Sequence, residues 1–350
     1  MMPRGREPSP GLFFYLRVFR DVKVSPLPST NVDHAISGNL KRADDLMKAG
    51  RSAEAVSVYR KLVQDCPEED SHLLALAWAL HDSGEKREAI ACFEQLFGRE
   101  LARGLFTGFA YDELVRLHRE GNDGKALVSV CERAAAAQPE DVGILQTLGE
   151  AYLSTGKTAE ATVLFGKLTE REPDVPGYWC SLGDARLAGR DPDGAEAAYN
   201  RAAENDPATK AVFLSRLAEG LMRVGLLERA RTVWERSLKA CPKEPFCWTG
   251  LGDCLVCLGK PAAAAEAYRR AIELRPASAA AFWHRLGQGL VREGLHSLAT
   301  EAFTEAVAAA PEDPFHMLRL AQSYAAQGQN ELAEKTIQRV KTKKCRPARY

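Results

Sequence analysis

Along most of this chain, apolar residues recur at i, i+3, i+4 and i+7, the spacing that lines one face of an α-helix. The stripes come in pairs. A glycine splits each pair, as at Gly50, Gly84, Gly156, Gly225, Gly259, Gly294 and Gly328, and a proline closes many of them, at Pro67, Pro173, Pro207, Pro242, Pro276 and Pro311. Such a glycine suits a left-handed residue that ends a first helix, and the proline stops the second from continuing. Each pair therefore predicts helix, turn, helix.

The pairs are copies of one unit. YWCSLGDARLAGRDPDGAEAAYNRAAENDP from Tyr178, WTGLGDCLVCLGKPAAAAEAYRRAIELRP from Trp248 and FWHRLGQGLVREGLHSLATEAFTEAVAAAP from Phe282 share one pattern. An alanine recurs at Ala55, Ala89, Ala126, Ala161, Ala195, Ala230, Ala264, Ala299 and Ala333, mostly 34 or 35 residues apart. Four positions later stand Tyr59, Phe93, Val130, Phe165, Tyr199, Trp234, Tyr268, Phe303 and Ile337, usually aromatic. A repeat of this length is the mark of stacked supersecondary units.

The chain resembles the tetratricopeptide repeat family from about Ser37 to Thr342. Trp179, Leu182, Gly183, Ala195, Tyr199 and Pro207 meet its signature closely, and Trp248, Leu251, Gly252, Ala264, Tyr268 and Pro276 meet it again. The resemblance implies an all-α, right-handed superhelical solenoid of about nine helix-turn-helix repeats. Residues 1–36 form a non-repeat segment with a linker, 37–342 the array and 343–350 a basic tail. Gly149, Gly183, Gly252 and Gly287 let paired helices approach, the alanine sits opposite, and the aromatic fills the space beside them. Trp179, Trp248 and Trp283 are expected in the core.

Three places depart from the pattern. RELARGLFTG lengthens one connection, which predicts a bend or an inserted turn and leaves the register around Ala126 uncertain by one residue. The final helix, ELAEKTIQRVKTKK, carries one apolar stripe of Leu332, Ile337 and Val340, so it can cap the array. Near the N-terminus GLFFYLRVF is strongly apolar with Arg17 and Arg20 interleaved. It reads as a strand, a docking helix or an in-plane membrane helix, with docking on its own or another protein preferred.

Composition narrows the function. Apolar residues at 45% suffice for a core, and 47 basic against 47 acidic side chains leave no global field favouring nucleic acid or a membrane. No apolar run is long enough to span a bilayer. Nine cysteines, an odd number scattered through a chain of this size, fit a reducing cytoplasm. Cys254 and Cys257 form a Cys-x-x-Cys, but mid-helix and without a second ligand pair, so packing is preferred over zinc or redox chemistry. No catalytic, nucleotide or metal motif is present, and neither enzyme activity, metal nor cofactor is expected.

The resemblance implies that partners bind on the concave face, lined by first-helix residues outside the packing signature. The residue following the small one is Asp44, Trp78, Glu150, Asp184, Glu219, Asp253, Gln288 and Gln322 along the chain. Glu150, Asp184, Glu219 and Asp253 make either a track for a Lys- or Arg-bearing partner or merely a solvated face. The Asn and basic residues with which chaperone-adaptor members grip a C-terminal carboxylate are missing. The asparagine ladder of O-linked N-acetylglucosamine transferase repeats is absent too, since the residue before each Leu is Thr147, Ser181, Arg216, Gly250, Arg285 or Arg319. Leu74 and Trp78, beside Leu40 and Met47, are expected to form an apolar mouth where GLFFYLRVF or a partner helix lies. The reading is a non-catalytic protein-interaction scaffold for a protein or peptide, basic where the acidic track is used, with no nucleic acid expected. Its alternative is a recruiting or assembly subunit that brings substrate to a separate enzyme or secretion complex.

Overall fold

The computed structural model describes residues 31–344, where eighteen α-helices and two short 3-10 turns occur and no strand. The chain divides into two compact units, 1–155 and 156–350. The first holds α1 (Asn31–Lys48), α2 (Ser52–Asp65), α3 (Asp70–Ser83), α4 (Lys86–Arg103), α5 (Phe109–Glu120), α6 (Gly124–Ala137) and α7 (Val142–Ser154). The second holds α8 (Thr158–Arg171), α9 (Pro176–Ala188), α10 (Pro192–Asn205), α11 (Lys210–Arg223), α12 (Leu227–Ala240), α13 (Pro245–Cys257), α14 (Pro261–Leu274), α15 (Ala279–Arg292), α16 (His296–Ala309), α17 (Pro314–Ala326) and α18 (Asn330–Lys344). Within each unit consecutive helices pack against one another, and in the second unit the first helices α9, α11, α13 and α15 also touch in succession. GLFFYLRVF and the chain beyond Lys344 lie outside the described residues.

Local chemistry sets the boundaries. All seven expected glycines have φ between 68 and 90. At Gly84 the turn is closed by Glu85 N–H donating to Leu80 O at 2.8 Å, the wide bond of a Schellman ending. The six prolines each stand two residues past a helix. The residue before each has φ between −129 and −141 and ψ between 72 and 84, the extended backbone that a following proline imposes.

In two turns a non-glycine takes the left-handed place: Asn122 (φ 53) and Arg190 (φ 63). The first moves the register. Counted from Asn122, Leu127 and Cys131 fall where the other hairpins have their alanine and ring; Ala126 is only half-buried, while Val130 stays buried beside them. Upstream the expected insertion is visible as a longer helix, 18 residues in α4 against 14 in α2, followed by a loop whose Phe106 packs on Phe97 and Tyr111.

Elsewhere the packing follows the pattern closely. Ala55, Ala89, Ala161, Ala195, Ala230, Ala264 and Ala299 have no exposed surface, and Tyr59, Phe93, Phe165, Tyr199, Trp234, Tyr268 and Phe303 are all buried. The ring lies directly on the small residue of the first helix. A Cβ on Gly183 would stand 2.6 Å from the Tyr199 ring, on Gly252 2.7 Å from Tyr268, and on Gly287 2.7 Å from Phe303. Burying such a ring is worth about 1.5–3 kcal/mol, so the glycine is required by contact, not by backbone freedom.

Two core expectations are corrected. Trp179, Trp248 and Trp283 are only partly buried against the core. Indole Nε1 of Trp179 donates to Pro173 O at 2.7 Å and that of Trp248 to Pro242 O at 3.0 Å, so a polar tip ties each first helix to the connection before it. In α18 the buried stripe is Ala333, Thr336 and Val340, and Leu332 and Ile337 face out.

Candidate functional site

Three first-helix aspartates share one arrangement. Tyr59 donates its hydroxyl to Asp44 at 2.7 Å, Tyr199 to Asp184 at 2.5 Å and Tyr268 to Asp253 at 2.5 Å, always across fifteen residues. Aspartate therefore goes with tyrosine: at the same offset Phe303 has Gln288 and Trp234 has the longer acid Glu219. Burial pushes the Tyr199 and Tyr268 hydroxyls above their ordinary range, and the negative aspartate adds to the effect.

In the second unit an arginine of the next first helix closes the group. Arg216 pairs with Asp184, and Arg285 reaches Asp253 with Nε at 2.8 Å. Partial burial alone would lower the affinity of these guanidiniums for their protons. The charge of the aspartate, its hydrogen bond and the neighbouring tyrosine together outweigh it, so both pKa values rise. The acids are largely covered, with 18% of the Asp184 side chain and 16% of that of Asp253 exposed.

The other two expected acids differ. In the first unit Glu150 is exposed and pairs with Arg119 at 2.9 Å, and both line a concavity of about 260 Å³ with Asn122, Leu127 and Ser154. Glu219 is exposed on α11, within the field of Arg285 but in no ion pair among the described residues. The carboxylates are thus unequal. Sequence reasoning missed the arginines that neutralise them, although Arg216 and Arg285 stand thirty-two residues after their acids.

Gln288 and Gln322 are exposed and line a larger concavity of about 500 Å³ at the α15–α17 joint, with Val291, Arg292, Phe303 and Arg319. Leu74 and Trp78 are not the lip of a mouth. They are 8% and 3% exposed, Met47 is buried as well, and Leu40 packs half-buried against the core. Trp78 meets Phe93 edge-on at 5.8 Å and Phe109 at 6.4 Å, because the first residue of α5 closes over the ring.

Cys254 is buried and directs its thiol at Leu227 O, 3.3 Å away, with burial pushing its pKa to about 12. Cys257, expected to be buried with it, is exposed. Cys247 lies against Ser237 and Ser215. Among the described residues no group of three His, Cys, Asp or Glu could hold a metal ion, and no helix is long and apolar enough to cross a membrane.

Repeated hairpins with a ring seated on a small residue, and first helices that expose polar residues such as Glu219, Gln288 and Gln322, define a helical-repeat protein. The tetratricopeptide repeat model matches residues 40–97, 147–208, 215–283 and 284–348, more than half of the sequence, and the chain belongs to this family. The gap between the first two matches falls on the end of lengthened α4, on α5 and on re-registered α6. Protein RRP5 homolog of Mus musculus is 27% identical over 237 residues, covering 65% of this chain and 12% of that protein, and its Homo sapiens counterpart is 25% identical over 236 residues with the same coverage. The chain thus spans about an eighth of these relatives. Among solved structures, MamA is similar at 24% identity (47% of this chain, 94% of that one, TM-score 0.35). YrrB, described as a TPR protein with an unusual peptide-binding site, is 20% identical (51% and 91%, TM-score 0.35). The Cut9-Hcn1 hetero-tetramer of the APC/C is 18% identical (89% and 53%, TM-score 0.37).

Proposed function

We propose that the chain is a non-catalytic protein-interaction scaffold whose first-helix faces hold a partner segment. The observation that carries this reading is the division of labour in the regular hairpins: the alanine, the small residue opposite and the ring are consumed in packing, while Glu150, Glu219, Gln288 and Gln322 stay exposed on first helices. Regular spacing lets several weak contacts act on one ligand. The array is taken as 37–342, between an N-terminal segment and a basic tail, in a reducing cytoplasm that suits the eight free thiols of the described residues.

Asp184 and Asp253 serve this surface indirectly by fixing Tyr199, Tyr268 and their arginines. Leu74 and Trp78 support it from beneath. Direct attraction of a basic partner rests on Glu150 and Glu219. A second reading, an assembly or recruiting subunit that brings substrate to a separate enzyme or secretion complex, would use the same exposed first-helix residues.

The test is affinity capture from cell extract with wild type and with Glu150→Lys/Glu219→Lys, quantified by mass spectrometry. Loss of basic partners is expected from the variant. An identical catch would reject the acidic contribution, and no protein retained by wild type would reject the scaffold itself.

A further inference from the structure

The joint between α15 and α17 lacks the acid that its neighbours possess. At Asp184 and Asp253 a tyrosine hydroxyl and an arginine of the next first helix converge on one carboxylate. The corresponding places at the third joint are Gln288, Phe303 and Arg319: the arginine is retained, the acid is an amide and the ring has no hydroxyl. Arg319 instead donates Nη1 to Gln322 Oε1 at 3.1 Å and lies 5.5 Å from the Phe315 ring centre. Neither Arg319 nor Arg292 forms an ion pair among the described residues, and both line the 500 Å³ concavity, whose wall includes no carboxylate.

The geometry points to this concavity as the seat of an Asp or Glu side chain from an acidic partner segment, which takes the place of the missing internal aspartate. Arg319 supplies the fork that Arg216 and Arg285 present to their own acids, Arg292 adds a second positive charge, and Gln288 and Gln322 offer amide donors. Val291 and Phe303 give an apolar wall for the neighbouring residue of the segment. The inference rests on the reading of the repeats as a binding surface, and it assigns the joint a charge preference opposite to that of Glu150 and Glu219.

Fluorescence anisotropy of the full chain tests it, with a labelled peptide of alternating glutamate and leucine and a second peptide with glutamine in place of glutamate. Wild type should bind the glutamate peptide about tenfold or more tightly than the glutamine peptide, and Arg319→Gln should remove that margin. Gln288→Asp is the decisive variant. It refills the empty place from within while keeping every arginine, so it should weaken the glutamate peptide by about tenfold with an unchanged or higher melting temperature. No preference for glutamate in wild type, or a Gln288→Asp variant that binds as wild type does, would overturn the proposal. So would equal binding of a labelled single-stranded oligonucleotide that Gln288→Asp abolishes, because the cleft would then read phosphate. A partner caught from extract equally by wild type and Gln288→Asp leaves the scaffold reading standing and removes this one.

Discussion

The α13–α15 joint and the α15–α17 joint each start from a hairpin with a ring seated on glycine, and their surfaces differ. In the first, Gly252 lies under the Tyr268 ring, and the hydroxyl and Arg285 consume the charge of Asp253. In the second, Gly287 lies under the Phe303 ring at the same spacing, yet Arg319 keeps its charge and a concavity opens between the helices. Stability and recognition therefore reside in different atoms of the same motif. The ring, worth about 1.5–3 kcal/mol when buried, holds the hairpin; the hydroxyl and acid, worth about 1 kcal/mol net, decide whether the next arginine is spent internally or left for a partner.

The comparison breaks most readily at the glycines. Gly252→Val and Gly287→Val should each lose about 1–3 kcal/mol by driving a side chain into a seated ring, read as a lower urea midpoint. A tolerated Gly287→Val would show that the two joints are not packed alike. A smaller effect separates the polar closures. Tyr268→Phe should lose about 1 kcal/mol, whereas Phe303→Tyr alone should gain nothing, because it meets an amide and not a carboxylate. Joined with Gln288→Asp, the same Phe303→Tyr should become favourable, with a coupling of about 0.5–1.5 kcal/mol in a double-mutant cycle. Independent effects would deny that acid and hydroxyl form one unit.

The smallest effect at neutral pH concerns titration. Folding raises the pKa of Tyr268, so its contribution is complete below the tyrosine value of about 10 in the unfolded chain and is lost as pH climbs beyond it, when unfolding releases a proton. Stability should fall with pH above that value, and Tyr268→Phe should flatten the fall. Absorbance at alkaline pH should show Tyr199 and Tyr268 ionising after the more exposed tyrosines.

Much of the fold was legible because its signals are local. Left-handed glycines, prolines after helices and the spacing of alanine and aromatic all act within a few residues or one hairpin, and they mark the elements wherever the repeat is regular. Reading failed where a single residue changed the local rule: Asn122 took the left-handed place beside Gly121 and moved the core of α6 to Leu127 and Cys131. The α18 stripe failed for another reason. Leu332 and Ile337 satisfy a helical period, but the neighbouring α17 covers the small face of Ala333 and Thr336 instead. Of the expected surface residues, Trp78 was misplaced because α5 supplies Phe109 from outside its own hairpin.

The sequence by itself determined the repeat, its helices and the residues consumed in packing, since each depends on spacing along one helix or between two joined by a short turn. Only the tertiary structure decided which charges are free. An ion pair spans successive first helices, some thirty-two residues apart in sequence and adjacent in space, so Asp184 and Asp253 looked as available as Glu219 until Arg216 and Arg285 were placed beside them.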